Sequence, residues 1–343
     1  MKQRISVFLN DKERKPILKI IKEAIVFWFV KKELPFFYFG KFLYRKNVTN
    51  YTDYLSSKEV DEITLSKKMH QYQYASILRN KLSFAVYMEY NGLPVPKLIG
   101  YNLNNTFFYK KKGVSVTDTK ELHSFFSTLF ETEMKDEIFI KSIKDMGGNG
   151  CFLVRKDTLK KQLEKYGDYL LSNDCIYQEV VIQHDDINKI YPHSINTLRF
   201  DSYIDKKGTI HILSAFMRFG AGGSVIDNGS SGGYYLSVNM EKGVLSGETH
   251  QLMKYGGNKL KAHPDTEVVF DEYKIPFFEE ACELIKKAVI YIPDRIIGWD
   301  IAISNKGPVI IEGNDNNSFI TPDIAYGGYL KHPLFKEIMN EVK

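Results

Sequence analysis

At ~150 residues per domain, a chain of 343 residues has room for two or three domains with proper cores. Its 43% apolar and 26% charged residues exclude disorder, collagen and coiled coil as overall descriptions. The net charge of +5 is concentrated in the first 60 residues, which hold 13 Lys/Arg against 6 Asp/Glu, and so argues against a nucleic-acid partner.

The three cysteines, Cys151, Cys175 and Cys282, are scattered, with no CxxC pair and no His/Cys cluster at zinc spacing. That usage points to a reducing compartment, the cytosol, and away from a structural metal. The longest apolar run near the N-terminus, Ala24 to Val30, is bracketed by Lys22, Glu23, Lys31 and Lys32. It is a poor signal peptide and falls short of the ~20 apolar residues of a spanning helix.

In chain order, the first 60 residues read as helical pieces rich in Lys and aromatics, over Pro16–Lys32 and around Leu34–Phe39. Two readings compete for them: an apolar face packed on the rest of the protein, or a basic aromatic surface on the inner face of an anionic membrane. A long helical pattern then runs from Leu65 to Tyr90 and breaks at Asn91-Gly92. Leu93-Pro94-Val95-Pro96 must be extended, because each proline disfavours helix in the residue before it. A strand at 97–101 and a charged helix follow. Next comes a hairpin, Ile138–Ile143 and Cys151–Val154, joined by a glycine-rich loop. A helix over 157–171 and a strand over 175–182 complete this part. The chain then turns β-rich at 197–204 and 211–219, with a glycine loop over 220–233. A helix over 277–291 leads into a closing hairpin, Gly298–Ile303 and Val309–Asn314.

That hairpin carries the strongest chemical signal. Its turn, Ser304-Asn305-Lys306-Gly307, sets Asp300 opposite Glu312 to within a residue, and Asn314 shares a face with Glu312 because strand side chains alternate. Two carboxylates and an amide oxygen on one face of an apolar hairpin suit Mg²⁺. Lys141 stands inside the apolar run Ile138-Phe139-Ile140, just ahead of Gly147-Gly148-Asn149-Gly150. Lysine is seldom buried without an anion to meet it, and a glycine loop lets backbone N–H groups approach phosphate. P-loop, Rossmann and protein-kinase signatures are absent. Arg199 and Arg218, each on a strand, offer forks for phosphate or carboxylate.

Taken in order, these pieces resemble the ATP-grasp superfamily, and its sugar-transfer-associated branch of polysaccharide and teichuronopeptide biosynthesis proteins most of all. The resemblance rests on Asn80-Lys81, Phe139-Ile140-Lys141 with the glycine loop, Tyr177–Val181, Ser194–Arg199 and Met217-Arg218-Phe219 before Val225–Asn228. It continues through His263–Thr266 and Ile297–Asp300 to Gly307–Asn314, and so spans about residues 65 to 320.

The resemblance implies an α+β ATP-grasp fold, two subdomains gripping ATP, preceded by an N-terminal helical region. Its parts are expected at 1–64 (the basic, aromatic helical region), 65–133 (the segment before the lid), 134–182 (the small lid with its glycine loop) and 183–343 (the subdomain with the metal site). Lys81, Lys141 and Gly147–Gly150 would meet the phosphates. Gln178, Glu179, Val180 and Val181 would form the adenine hinge, and Asp185 or Asp186 would meet the ribose. Asp300, Glu312 and Asn314 match the family's magnesium set, usually serving two ions. Asn196, Arg218, Asp227, Asn228 and His263 are the candidate substrate contacts, and Lys141, Arg199 and Arg218 the candidate catalytic cations. Ser142 departs from the pattern, standing where many relatives have proline.

The expected activity is an ATP-dependent carboxylate–amine ligase acting through an acyl phosphate on a small-molecule or glycan-linked carboxylate. Two alternatives remain: an ATP-grasp kinase acting on a hydroxyl, and a non-catalytic glycan- or membrane-associated protein.

Overall fold

The computed structural model describes residues 2–145, 147 and 150–343. They form two compact units: Met1–Ala75 with Gln183–Pro308 and Gly313–Lys343, and Ser76–Ile182 with Val309–Glu312.

The larger unit opens with helices α1 (Lys2–Asn10), α2 (Ile17–Lys31), α3 (Phe36–Gly40) and α4 (Ser57–Thr64). Ile20, Phe27, Tyr38 and Leu43 form a buried cluster. Several of the N-terminal cations are spent inside it. Lys15 meets Glu23 at 2.6 Å, Arg45 meets Asp11 at 2.7 Å, Lys31 meets Glu59 at 2.9 Å, and Lys41 meets Asp323 at 2.5 Å. Buried ammonium groups persist only when paired in this way. A capping box starts α4: Ser56 accepts from the Glu59 N–H, and Glu59 accepts from that of Ser56.

The helix expected over Leu65–Tyr90 is two helices, α5 (Tyr72–Arg79) and α6 (Lys81–Tyr90). Asn80 separates them in an extended conformation, its Oδ1 accepting from the Ser83 N–H at 2.9 Å. The asparagine caps a new helix instead of continuing the old one. The break at Gly92, with φ +68°, falls where expected.

In the smaller unit α6 is followed by β1 (Leu98–Leu103), β2 (Thr106–Tyr109), β3 (Lys112–Ser115) and α7 (Thr119–Glu133). Then come β4 (Glu137–Ser142), β5 (Cys151–Arg155), α8 (Leu159–Ser172) and β6 (Cys175–Gln178). The antiparallel sheet runs β3-β2-β1-β6-β4-β5. The sequence reading misses β2 and β3, because their turn residues at positive φ include Lys110 and Lys111, which carry no turn signal. Ile138 and Ile140 of β4 and Tyr177 of β6 join Leu122, Phe126 and Leu163 of α7 and α8 in one core. Strand alternation therefore turns Phe139 and Lys141 to the opposite face.

Gly150 closes the β4–β5 loop at φ +65°, where an added Cβ would lie 2.2 Å from the Tyr169 hydroxyl. Gly150→Ala is expected to cost about 1–3 kcal/mol, read as a lower denaturation midpoint.

The larger unit resumes with α9 (Asp185–Ile190), β7 (Leu198–Ile204), β8 (Ile210–Phe219), β9 (Tyr234–Asn239) and β10 (Val244–Leu245). It ends with α10 (Phe278–Tyr291), β11 (Ile296–Ser304), β12 (Gly307–Asn314), α11 (Ile320–Tyr326) and α12 (Pro333–Val342). Its sheet runs β10-β9-β8-β7-β11-β12, and the expected closing hairpin is β11–β12. Phe200 of β7 packs on Phe278 of α10 at 5.7 Å, which leaves Arg199 and Asp201 to the other face. Cys151, Cys175 and Cys282 are thiols, in no disulfide. Among the described residues no helix is long and apolar enough to cross a membrane.

Candidate functional site

Each unit gathers its own cluster. In the smaller one, Lys141 is 8% exposed on β4, between Cys151 of β5 and Ile176 of β6 in the sheet register. Its ammonium stands 5.7 Å from the Phe139 ring centre. Lys141 lines one pocket with Lys81, Gln178 and Glu312, and Phe84, Val95 and Ile310 supply apolar wall. Lys81, the first residue of α6, lies 3.3 Å from Glu312 Oε1 and donates to the Asp145 carbonyl at 2.5 Å. Gln178 donates through Nε2 to the Pro96 carbonyl at 3.0 Å, while its buried Oε1 has no hydrogen-bond partner among the described residues. Leaving a buried acceptor unmet costs about 1–3 kcal/mol, which a ligand N–H would recover.

The strand expected over 175–182 ends at Gln178, and Glu179 to Ile182 continue without strand pairing. Glu179 donates its N–H to the Lys97 carbonyl at 3.0 Å, and its carboxylate lies 3.3 Å from Lys135. Val180 and Val181 are half-buried. In the glycine loop Gly147 has φ +71° and Gly150 +65°. Gly148 and Asn149 lie outside the described residues.

In the larger unit, Arg199 and Asp300 face each other across β7 and β11. Arg199 donates from Nη1 to Asp300 Oδ1 at 2.7 Å and from Nη2 to Asn317 Oδ1 at 2.8 Å. Arg218 Nη2 reaches Asp300 Oδ2 at 3.1 Å, and its Nε donates to Thr197 Oγ1 at 2.9 Å. The Thr197 hydroxyl in turn donates to Asp227 at 2.6 Å. Burial alone would raise the Asp300 carboxyl, but the two guanidiniums hold it below the ordinary carboxylate range.

Gly298 makes room for this arrangement. A Cβ there would sit 2.7 Å from Arg199 Nε and 2.8 Å from Asn317 Oδ1. Gly298→Ala is expected to displace the Arg199 fork and to cost about 1–3 kcal/mol, seen as a lower unfolding midpoint.

Behind the arginine, Asn317 donates to Asp201 Oδ1 at 2.5 Å, and the Tyr329 hydroxyl donates to Oδ2. Burial pushes the Asp201 carboxyl up. Sequence reading does not single out Asn317, Asp201 or Tyr329. The usable signals were a lone acid in the β-run 198–204 and the polar run Asn314-Asp315-Asn316-Asn317 after β12.

Asn314 turns its amide nitrogen to the Gly298 carbonyl at 3.5 Å. Asp186 is half-buried on α9, where Lys189, at 2.6 Å, holds its carboxyl below the ordinary range. Asp185 donates its N–H to Asn305 Oδ1 at 3.2 Å. The Asn228 carbonyl accepts from Ser231 and Gly233, which shapes the glycine loop.

Two candidate substrate contacts are tied into the scaffold. Asn196 is fully buried, donating to Gln183 Oε1 and to the Tyr191 carbonyl and accepting from the Ser194 hydroxyl. His263 is buried and accepts at Nδ1 from the Asp265 N–H. Its Nε2 therefore carries the proton, donated to the Gly220 carbonyl at 2.9 Å. Burial lowers its pKa, and both nitrogens are spent holding the loop.

Among the described residues no three His, Cys, Asp or Glu gather as a metal cluster. The expected magnesium set has only two carboxylates and an amide. These are hard oxygen donors that suit Mg²⁺ and leave positions for water and phosphate. Each carboxylate is balanced by cations of its own unit, Asp300 by two arginines and Glu312 by Lys81. The donor types fit the ion.

A family model described as sugar-transfer associated ATP-grasp matches residues 61–339. No curated protein sequence matches the chain. Among solved structures, D-alanyl-alanine synthetase A from Vibrio cholerae is 10% identical with a TM-score of 0.48, over 80% of this chain and 67% of its own. N5-carboxyaminoimidazole ribonucleotide synthetase from Thermotoga maritima is 14% identical with a TM-score of 0.39, over 72% and 44%. The ATP-grasp ligase PsnB, complexed with a minimal precursor, is 13% identical with a TM-score of 0.43, over 80% and 64%.

Proposed function

The chain belongs to the sugar-transfer associated ATP-grasp family, and from that premise we propose that it is an ATP- and Mg²⁺-dependent ligase joining a carboxylate to an amine. The observation that carries this reading is the pocket of the smaller unit. There Lys81 and Lys141 present two ammonium groups beside a carboxylate, Glu312, and a buried acceptor, Gln178 Oε1, awaits a donor. Such a lining accepts a triphosphate and the amino group of a purine. The substrate is a sugar acid or an amino-acid substituent of a surface polysaccharide, small or glycan-linked, and ATP places the reaction on the cytoplasmic side.

Lys81, Lys141 and the loop Gly147–Gly150 bind the phosphates, Glu179–Val181 take the adenine edge through the backbone, and Asp186 takes the ribose. Asp300, Glu312 and Asn314 are the residues that would hold the magnesium, and the ion would neutralise triphosphate charge. The substrate carboxylate attacks the γ-phosphorus, forming an acyl phosphate and releasing ADP. The amine then attacks the acyl carbon and phosphate leaves, giving the amide. Arg199 and Arg218 orient the carboxylate and stabilise the tetrahedral oxyanion. Asp227 and Asn228 border the acceptor.

The test is ADP release with Mg-ATP across uronic acids, amino acids and amines, with hydroxylamine as trap. A hydroxamate formed with stoichiometric ADP supports the ligase. A phosphorylated acceptor without hydroxamate identifies a kinase, and Mg-ATP binding without turnover on any acceptor identifies a non-catalytic protein.

A further inference from the structure

Helix α2 is built inside out. Its buried positions are Ile20, Glu23, Phe27 and Lys31, so the inward face carries both an acid and a base. Glu23 accepts from Lys15 at 2.6 Å and from the Tyr38 hydroxyl at 2.7 Å, and Lys31 meets Glu59. The outward face carries Ile17, Leu18, Ile21, Ile25, Trp28 and Phe29, all exposed, with Leu18 at 79% and Phe29 at 74%. At 100° per residue these six fall within one arc of about 120°. A helix that turns an acid and a base inward and shows water an apolar stripe has a second apolar phase to meet.

The stripe continues beyond α2. Ile5 and Leu9, one turn apart on α1, are exposed, as are Leu34 and Phe36. A shallow apolar groove joins Phe8, Ile21, Ile25, Trp28 and Phe39. The exposed charge on these helices is positive. Helices α1 to α3 contain a single acid, the buried Glu23, whereas Lys2, Arg4, Lys19 and Lys22 are exposed on them; of the flanking residues, Lys12 and Lys32 stand beside Glu13 and Glu33. Lysines beside a stripe that includes Trp and Phe are the composition of an interfacial helix on anionic lipid.

We propose that α1–α3 form a docking surface for an anionic membrane, with the outer arc of α2 lying in the headgroup–acyl boundary and Lys19 and Lys22 meeting lipid phosphates. Unlike a spanning helix, this one lies in the membrane plane. The surface stands whatever bond the catalytic residues make.

Trp28 reports on it directly, since the chain's only other tryptophan, Trp299, is fully buried. Full-length protein is floated with phosphatidylcholine vesicles and with vesicles containing about 30% phosphatidylglycerol, at about 0.05 and 0.5 M salt. The expected result is flotation with the anionic vesicles at low salt, a blue shift of Trp28 emission absent in Trp28→Phe, and release at high salt. Lys19→Gln with Lys22→Gln should weaken binding about 25-fold, roughly five-fold per lysine. Leu18→Asp with Phe29→Asp should abolish it, and both positions are exposed enough to leave the fold intact. No flotation with anionic vesicles at low salt overturns the proposal, as does equal binding to neutral vesicles. A dimer in sedimentation that Leu18→Asp dissolves, without vesicle binding, would assign the face to a second copy instead.

Discussion

Replacing Lys141 by methionine is expected to cut substrate-dependent ADP release by about 10²–10³-fold, the loss typical of removing one preorganised charge-stabilising group. Methionine keeps the length and apolar stem of the side chain, so the packing against Phe139 survives. What disappears is a buried cation in a pocket shared with Lys81 and Glu312. The two roles open to such a cation predict different outcomes. A lysine that holds the fold through an internal ion pair takes about 3–5 kcal/mol with it when removed. One that meets a ligand's anion takes with it the contribution made when phosphate is bound, beyond whatever the empty protein loses. A fall in kcat together with a rise in KM for ATP, beyond what the folded fraction accounts for, is the expected pattern. A large drop in midpoint with activity scaling to the folded fraction would make Lys141 structural.

Lys141 was legible because a lone lysine in an apolar strand conflicts with its surroundings, and that conflict survives in one dimension. The hairpin β11–β12 was legible because its turn and the alternation of its strands are both local. Other features depend on partners far along the chain. Asp300 reads as a metal ligand from its own strand, yet the arginine facing it comes from β7, 101 residues earlier. Which strand lies beside which is a tertiary fact, so the Arg199–Asp300–Arg218 arrangement could not be foreseen. His263 shows another limit: a histidine's type says nothing about whether its two nitrogens are already filled. The split at Asn80 and the lysine turn before β3 show the same limit at short range. An asparagine inside a periodic helical pattern and two lysines at positive φ are choices the surrounding structure enforces. In the N-terminal region, charge and aromaticity announced an amphipathic surface, but which face was buried depended on where Lys15, Tyr38 and Glu59 came to lie.

Asp300→Asn should lower stability by about 3–5 kcal/mol, because it leaves two buried-side guanidiniums facing an amide. The size of that loss should depend on pH, with a sign fixed by the direction of the shift. The Asp300 carboxyl is held below its unfolded value of about 3.9, so its contribution is fully present above that pH and is lost as the pH falls through the folded value. Wild type and Asp300→Asn should therefore converge in urea midpoint as the solution is acidified, and differ most near neutrality. Asp201 supplies the opposite case on the same face. Burial raises its carboxyl, so its proton favours the folded state: that contribution is present below the unfolded value and is lost as pH rises through the folded one. Asparagine mimics the protonated acid and keeps an oxygen for Asn317. Asp201→Asn should therefore match wild type in acid and gain on it toward neutral pH. Finding the two variants with the same pH dependence would mean that the guanidiniums do not hold Asp300 ionised. The electrostatic account of Arg199 and Arg218 as a pair braced for an incoming carboxylate would then fail with it.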